Sequence, residues 1–530
     1  MIRAHESRVM RGHGNSGSRN HLRHAVTIAF ALAAGLFALC AQAAPAQPAP
    51  GAPGIGDRLF PTLGNGGYDA RHYHLDLTYP TSAPEQTVDG EVTMIARATQ
   101  SLSRFNLDFA DGSVSDVDVN GRDADFALED EELVITPARS LRRGGVFVTR
   151  VDFTAGPDVP VNTLPFGWFT TNDGSVTAGQ PDLGHTIYPV NDHPADKATY
   201  TFRLDVPEGV TAVASGESRW ERARGGRSVS LHVMDEPLAS QVTQIAVGDL
   251  RVIERGRVRG VDLRDVAAEA CADTAEALLS KTPAHMVWMT DRAGRYPFDN
   301  YGVLAADQLF GYALETQTLS LHPCFLFNPA QFPDVETAET VMVHELAHQW
   351  YGDSVAPETW SDLWLNEGHA TWYEWTFGDQ FFGGDFELVA RIKGAYEQGD
   401  QWRAQYGPVA MPISNELFEL FSPNIYDGGA VVLYALRQVI GERAFARLQE
   451  EWAQRYEGKS VGTEDFIALA SRVAGRNLGP FLRDWLYGTE TPPMPGHPDW
   501  QPLPVQESAP APQAASRSGA LAVERALRKH

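Results

Sequence analysis

His344-Glu345-Leu346-Ala347-His348, followed after 18 intervening residues by Glu367, is the stretch of this 530-residue chain whose residue types and spacing most clearly suit chemistry. On a helix, positions four apart share a face, so His344 and His348 can reach one ion together. Glu345 lies one step round the same turn, beside a metal rather than on it. Glu367, from another segment, completes a His/His/Glu zinc site and leaves a fourth position for water. Zinc held in this way is a Lewis acid that makes water a usable nucleophile near neutral pH. HExxH alone also describes an ordinary helix with polar residues turned to solvent. The neighbours argue against that here.

The element carrying the pair runs Val341-Met342-Val343-His344-Glu345-Leu346-Ala347-His348-Gln349-Trp350. It is apolar on most sides, which predicts a buried helix. Two imidazoles and a carboxylate inside such a helix need partners, and a metal supplies them. Asp334, after Pro333, is placed to cap the start, and Gly352 to end it. The second segment, Trp360-Ser361-Asp362-Leu363-Trp364-Leu365-Asn366-Glu367-Gly368-His369-Ala370, also reads as a mostly apolar helix with one carboxylate directed inward.

These two segments, HELAHQW and then WSDLWLNEGHA, resemble the gluzincin aminopeptidases, the family of aminopeptidase N and leukotriene hydrolase. Further segments extend the resemblance. Gly311-Tyr312-Ala313-Leu314-Glu315-Thr316-Gln317 is similar to the family's Gly-x-Met-Glu-Asn motif. In the family that strand lies beside the substrate and its Glu binds the free α-amine. The resemblance thus implies substrate contacts from Gly311, Ala313 and Glu315. Edge pairing with a peptide and a carboxylate facing an ammonium give the physical reason; a strand carboxylate in a surface ion pair is the plainer alternative. Leu314 and Thr316 depart from the motif's Met and Asn. Tyr426, in Ile425-Tyr426-Asp427-Gly428-Gly429-Ala430, matches the tyrosine that donates to the oxyanion in the family, although the family's Lys is replaced by Gly428. By itself a tyrosine at a helix start is usually packing. Gln180, nine residues before Pro189, aligns with a Gln or Glu that lines the first specificity pocket; a loop glutamine is the alternative. Asn191 to Lys197 resembles the family's Asp-x-Pro-x-x-Lys segment.

The wider chain reads as multidomain α/β. Residues 65–255 alternate in strand fashion, as in His72-Tyr73-His74-Leu75-Asp76-Leu77 and Thr87 to Met94, with turns such as Asn120-Gly121 between. The resemblance implies an N-terminal antiparallel β-sandwich, saddle-shaped, covering one side of the active site. From about residue 262 the pattern turns helical, with Val266 to Leu279 expected as one helix and a short β region near Arg295 to Gly302. Residues 256–490 are expected to form a mainly α, thermolysin-like catalytic domain. Residues 44–64 read as a flexible leader, and 491–530, rich in Pro, Ala, Gln and Ser, as a disordered tail.

The formal net charge of −25 argues against nucleic acid or an anionic membrane surface as partner. Arg19 and Arg23 precede an apolar run from Ala25 to Cys40, and Ala41-Gln42-Ala43 offers a cleavage site before Ala44. We therefore expect residues 1–43 to be a signal peptide, export to the periplasm or medium, and no stable membrane insertion after cleavage. Met10 is an alternative start. Of three cysteines, Cys271 and Cys324 would survive cleavage, as a disulfide or as two buried thiols.

The resemblance covers roughly residues 65–490 and does not extend to the helical C-terminal domain of larger members, so a more open cleft is expected. It implies an exported zinc metallo-aminopeptidase acting on peptides with a free N-terminus. One zinc sits on His344, His348 and Glu367, Glu345 is the general base and acid, Tyr426 the oxyanion donor, and Glu315 the amine ligand. The alternatives are an endopeptidase using the same zinc chemistry, an epoxide-opening hydrolase, and a binding scaffold without activity. Retention of all three ligands, the base and the tyrosine speaks against the scaffold.

Overall fold

Alternating apolar and polar residues build the first half of the chain. The strand Ala198–Pro207 buries every second residue, as the two-residue period of a strand with one covered face requires. It belongs to a seven-stranded sheet whose order, by residues, is 217–224, 227–238, 198–207, 68–78, 88–98, 146–155 and 113–119. A four-stranded sheet containing 102–108 and 132–136 covers its apolar face. Phe105 meets Phe147 across the gap with ring centroids 5.1 Å apart, and Tyr68 meets Phe105 at 5.7 Å. Tyr68–Thr78 and Ala198–Pro207 pair in parallel, so the sandwich is mixed rather than purely antiparallel. The long intervening chain supplies the crossover that a parallel pair needs.

The computed structural model describes residues 47–80, 87–156, 166–307 and 311–505. The expected signal segment 1–43 lies outside them, as does the tail from 506. The nearer ends of both flanks are more ordered than their composition suggests. Ala49–Pro50 pairs in parallel with Leu102–Asp108, and Leu59, Phe60 and Leu63 join the core. Asp57 accepts backbone N–H groups from Leu59 and Trp360, tying this segment to the second half. At the other end Met494 and Trp500 are buried, Trp500 against Tyr396 and Tyr434. A few large apolar side chains overrode a proline-rich composition.

Val266 does not begin a helix. Val261–Ala268 is a strand, antiparallel to Leu250–Val258 and parallel to Val303–Ala306. The sheet covers Val266 and Ala267 on both faces, which a short apolar run cannot distinguish from helix by period alone. Among the described residues the α-helices are α1 (Ala272–Leu279), α2 (Thr282–Ala293), α3 (Val335–His348), α4 (Trp364–Phe381), α5 (Leu388–Tyr406), α6 (Leu417–Leu420), α7 (Pro423–Ile440), α8 (Glu442–Arg455), α9 (Thr463–Ala474) and α10 (Gly479–Tyr487). A disulfide joins Cys271, at the start of α1, to Cys324, just beyond the strand Ser320–Pro323. Among the described residues no helix is long and apolar enough to cross a membrane.

Candidate active site

Helix α3 begins where Asp334 accepts the N–H of Thr337, a side-chain cap. Its last two turns carry His344 and His348 on one face, both buried. Helix α4 packs against α3 and presents Glu367 from its first turn. His344 Nε2 lies 3.3 Å and His348 Nε2 3.2 Å from the same oxygen, Glu367 Oε2. The other ring nitrogens are already engaged. His344 Nδ1 is 3.0 Å from Glu374 Oε2, and His348 Nδ1 is 3.1 Å from the Tyr351 carbonyl. Acceptors at both Nδ1 positions select the tautomer whose Nε2 lone pair points at the shared centre. Two imidazole nitrogens and one carboxylate oxygen, all within 4.8 Å of one another, are the donor set of a catalytic zinc.

The electrostatics agree with that reading. Burial pulls the His348 ring toward its neutral form, but the carboxylates of Glu315 and Glu367 outweigh it and hold its pKa up at about 9. His344 is raised well above the ordinary range against the same burial, by Glu367 and Glu374. Burial works against ionised Glu367 too, yet the two histidines pull its pKa down to about 2. A site that gathers protons onto two histidines around one carboxylate is a site where a divalent cation displaces those protons. Glu345 differs from its neighbours. Burial pushes its carboxyl up to about 8, opposed by His344 and His348 and reinforced by Glu315 and Glu367.

Tyr426 comes from the first turn of α7, its ring stacked 5.9 Å from that of His344. Burial, with the carboxylates of Glu367, Glu315 and Glu345, keeps its phenol protonated far beyond neutrality. The approach depends on two glycines. A Cβ on Gly368 would sit 2.9 Å from the Gly429 Cα, and one on Gly429 would sit 2.7 Å from the Gly368 Cα. Side chains there would force α4 and α7 apart and carry Tyr426 away from His344.

The segment that carries Glu315 is not helical, yet it brings the Glu315 carboxylate within 4.8 Å of Glu345 and His348. Leu314 pairs with Leu321 through two backbone hydrogen bonds of 2.8 and 2.9 Å, which fixes the segment that carries buried Glu315. Gln180, just past the strand Ser175–Ala178, donates from Nε2 to Glu315 Oε1 at 2.7 Å. The nine positions singled out from sequence, Gln180, Gly311, Ala313, Glu315, His344, Glu345, His348, Glu367 and Tyr426, all line one cleft. Phe166, Tyr312, Leu314, Leu417, Phe418 and Phe421 complete its wall.

Several supporting residues were passed over in the sequence. Glu374, which orients His344, lies seven residues beyond Glu367, two turns along the same helix face; that spacing was a usable signal. Gln349, directly after His348, donates to the Glu315 carbonyl and accepts from the Thr318 N–H, so the end of α3 also holds the turn that carries Glu315. Tyr312 stands where matching Glu315 and Leu314 to the family motif would put its glycine. No local pattern marks Phe166 or Phe421.

Residues 279–485 match the Peptidase family M1 domain. The chain is 26% identical over 461 residues to leukotriene A-4 hydrolase of Xenopus laevis, covering 81% of this chain and 72% of that one. It is 22% identical over 434 residues to aminopeptidase 2 of Candida albicans, covering 78% of this chain but only 46% of that one. Among solved structures, an M1 zinc metallopeptidase from Deinococcus radiodurans superimposes with a TM-score of 0.72 at 29% identity, covering 85% of this chain and 100% of its own. A two-domain M1 zinc metallopeptidase mutant bound to L-arginine gives a TM-score of 0.73 at 29% identity, covering 83% and 99%.

Proposed function

We propose that the chain is a zinc metallopeptidase of the M1 family and that it removes single residues from the free N-terminus of peptides, a reading supported by the family match and by the similar aminopeptidases and metallopeptidase structures. The observation that carries this reading is the Gln180–Glu315 pair beside the candidate metal site. A carboxylate held there suits the ammonium of a substrate. A relative of this architecture has been captured with single amino acids, which supports the same reading.

His344, His348 and Glu367 would hold the zinc, with Glu374 and the Tyr351 carbonyl fixing the two rings. When bound, zinc supplies Lewis-acid chemistry, polarising the scissile carbonyl and acidifying water. Glu315 and Gln180 grip the α-ammonium, so the first peptide bond stands beside Glu345. The Glu345 carboxylate takes a proton from the attacking water as the new C–O bond forms. It then delivers that proton to the leaving nitrogen as the C–N bond breaks. The Tyr426 phenol donates a hydrogen bond to the developing oxyanion, an interaction whose loss typically costs about 10²–10³ in turnover.

Matched peptides with free and N-acetylated termini, read by mass spectrometry, test the proposal. Stepwise loss of the first residue from only the free peptide is expected. Internal cleavage of both would leave the zinc chemistry standing but make the enzyme an endopeptidase. We also propose export. The apolar run before Ala41-Gln42-Ala43 supports it, and the Cys271–Cys324 disulfide suits an oxidising compartment. N-terminal sequencing of protein recovered outside the cytoplasm should begin at Ala44; an intact Met1 or Met10 would sink the idea.

A further inference from the structure

We propose that Lys197, contributed by the N-terminal half, is a positioning residue for the metal site: it clamps the turn that follows α3 and so holds the Tyr351 carbonyl against His348. This rests on the metallopeptidase reading and extends the site to a residue that does not line the cleft.

The turn is sharp because it must pass the His348 ring. A Cβ on Gly352 would sit 3.1 Å from His348 Nδ1, and the φ of Gly352 is +142°, a conformation that favours glycine. Glycine leaves room for the ring but also loosens the chain at that point. The Tyr351 carbonyl, 3.1 Å from His348 Nδ1, stands immediately before it. Asp353 and Ser354, both buried, stand immediately after it. Lys197 Nζ donates to the carbonyls of both, at 2.5 Å to Asp353 and 3.0 Å to Ser354. The Asp353 N–H bonds the His348 carbonyl and the Ser354 N–H that of Gln349, so the clamped residues also lean on the end of α3. On the other side the Tyr351 N–H is held by the Ala347 carbonyl. With both sides of Gly352 fixed, the Tyr351 carbonyl keeps one direction and His348 Nδ1 one acceptor. That acceptor sets which ring nitrogen carries the proton and leaves the Nε2 lone pair facing the shared centre.

The lysine reaches the turn from a fixed base. His193 Nε2 lies 3.2 Å from an Asp57 carboxylate oxygen that also accepts the Trp360 N–H at 2.8 Å. Ser460 Oγ donates to the Pro194 carbonyl at 2.5 Å, and the strand Ala198–Pro207 begins directly after Lys197. A buried ammonium costs more than a neutral donor. Burial pulls the pKa of Lys197 down from 10.5 to about 7, against the attraction of Asp353. The Asp353 carboxyl gives no hydrogen bond in return, since both its oxygens are buried without a partner among the described residues. What the lysine offers is three donors on one atom at the end of a long stem, enough to hold two carbonyls across the seam. A tie that only joined the two halves could attach anywhere along that seam, as Asp57 does at Trp360. This one attaches just beyond the carbonyl that orients a metal ligand.

The test compares two variants of the full chain at the same seam. Lys197→Met keeps a long stem and removes the donors, whereas Asp57→Asn loosens the same N-terminal segment without touching the turn. Zinc affinity is read by chelator competition, and stability by urea denaturation of the zinc-free protein. Lys197→Met is expected to bind zinc about tenfold more weakly, as for loss of an outer partner of a metal-ligating histidine. With zinc saturating, its kcat should fall while KM for a free peptide stays within about twofold. Asp57→Asn should lose stability and keep the zinc affinity of the parent. Cobalt in place of zinc adds a spectroscopic signature that follows ligand geometry: Lys197→Met should shift the visible bands and Asp57→Asn should not. Lys197→Gln, which keeps a neutral donor, serves where methionine prevents folding and should bind zinc about threefold more weakly than the parent. Parent-like zinc affinity in a folded Lys197 variant would overturn the proposal. So would equal losses of affinity from Lys197→Met and Asp57→Asn. A parent chain that takes up no stoichiometric zinc would instead overturn the metallopeptidase reading, and this proposal with it.

Discussion

The candidate metal ligands stand on two packed helices, whereas the proposed amine-binding pair is assembled from the irregular segment around Glu315 and the chain beyond a strand of the N-terminal half. The histidine ligands are oriented by partners on the same helices or the turn that follows, Glu374 and the Tyr351 carbonyl. Glu315 depends on Gln180, 135 residues away in sequence, and on Gln349 reaching across from α3. Chemistry that tolerates little displacement sits on rigid elements, and recognition that must differ between relatives sits on strand ends and loops. Changes around the helical ligands should therefore alter metal affinity or kcat, and changes around the Gln180–Glu315 pair should alter the choice of substrate.

The largest effect expected is from Glu345→Gln, which should retain zinc by elemental analysis and lose about 10²–10⁴ in kcat. Near-normal turnover would remove Glu345 from the mechanism and break the assignment of chemistry to the helical residues. Glu315→Ala should lower kcat/KM for free peptides by about 10- to 100-fold, the worth of a charged hydrogen bond. It should also narrow the preference for free over acetylated termini; an unchanged preference would separate Glu315 from amine binding. Glu374→Gln keeps the shape but weakens the grip on His344 Nδ1, and a loss of about 10- to 100-fold in zinc affinity is expected in chelator competition. A loss confined to KM would show that the two groups of residues are less distinct than their construction suggests.

The smallest effect concerns the seam between the two halves. Burial opposes ionisation of Asp57, yet His193 and the N–H groups of Trp360, Phe60 and Leu59 lower its pKa from 3.8 to about 2. A carboxylate lowered in the folded state contributes stability that is complete above the unfolded value and is lost as pH falls through the folded one. The stability difference between the parent and Asp57→Asn should thus be flat above about pH 5 and shrink between about pH 4 and 2. A difference independent of pH in urea denaturation would assign Asp57 a role in packing alone.

How much could be read beforehand followed from range. His344, Glu345, His348 and the cap at Asp334 were legible because a helix makes contacts three and four residues apart. The strand Val261–Ala268 was misread in part as helix because a short run covered on both faces has no distinguishing period. The order of the segment around Leu59 and of the stretch around Trp500 was missed because composition does not report where an isolated aromatic docks.

By itself the sequence pointed to the candidate metal ligands, the carboxylate beside them, the buried helices that carry them and the β-then-α order of the chain, since these depend on local period and spacing. Tertiary structure alone decided the rest. It joined Cys271 to Cys324, brought Gln180 to Glu315, and let Gly368 and Gly429 meet so that Tyr426 stacks on His344. It also laid Phe166 on Tyr312. Each of these contacts joins segments far apart in the chain, and packing of whole elements against one another, not any local preference, sets which residues meet.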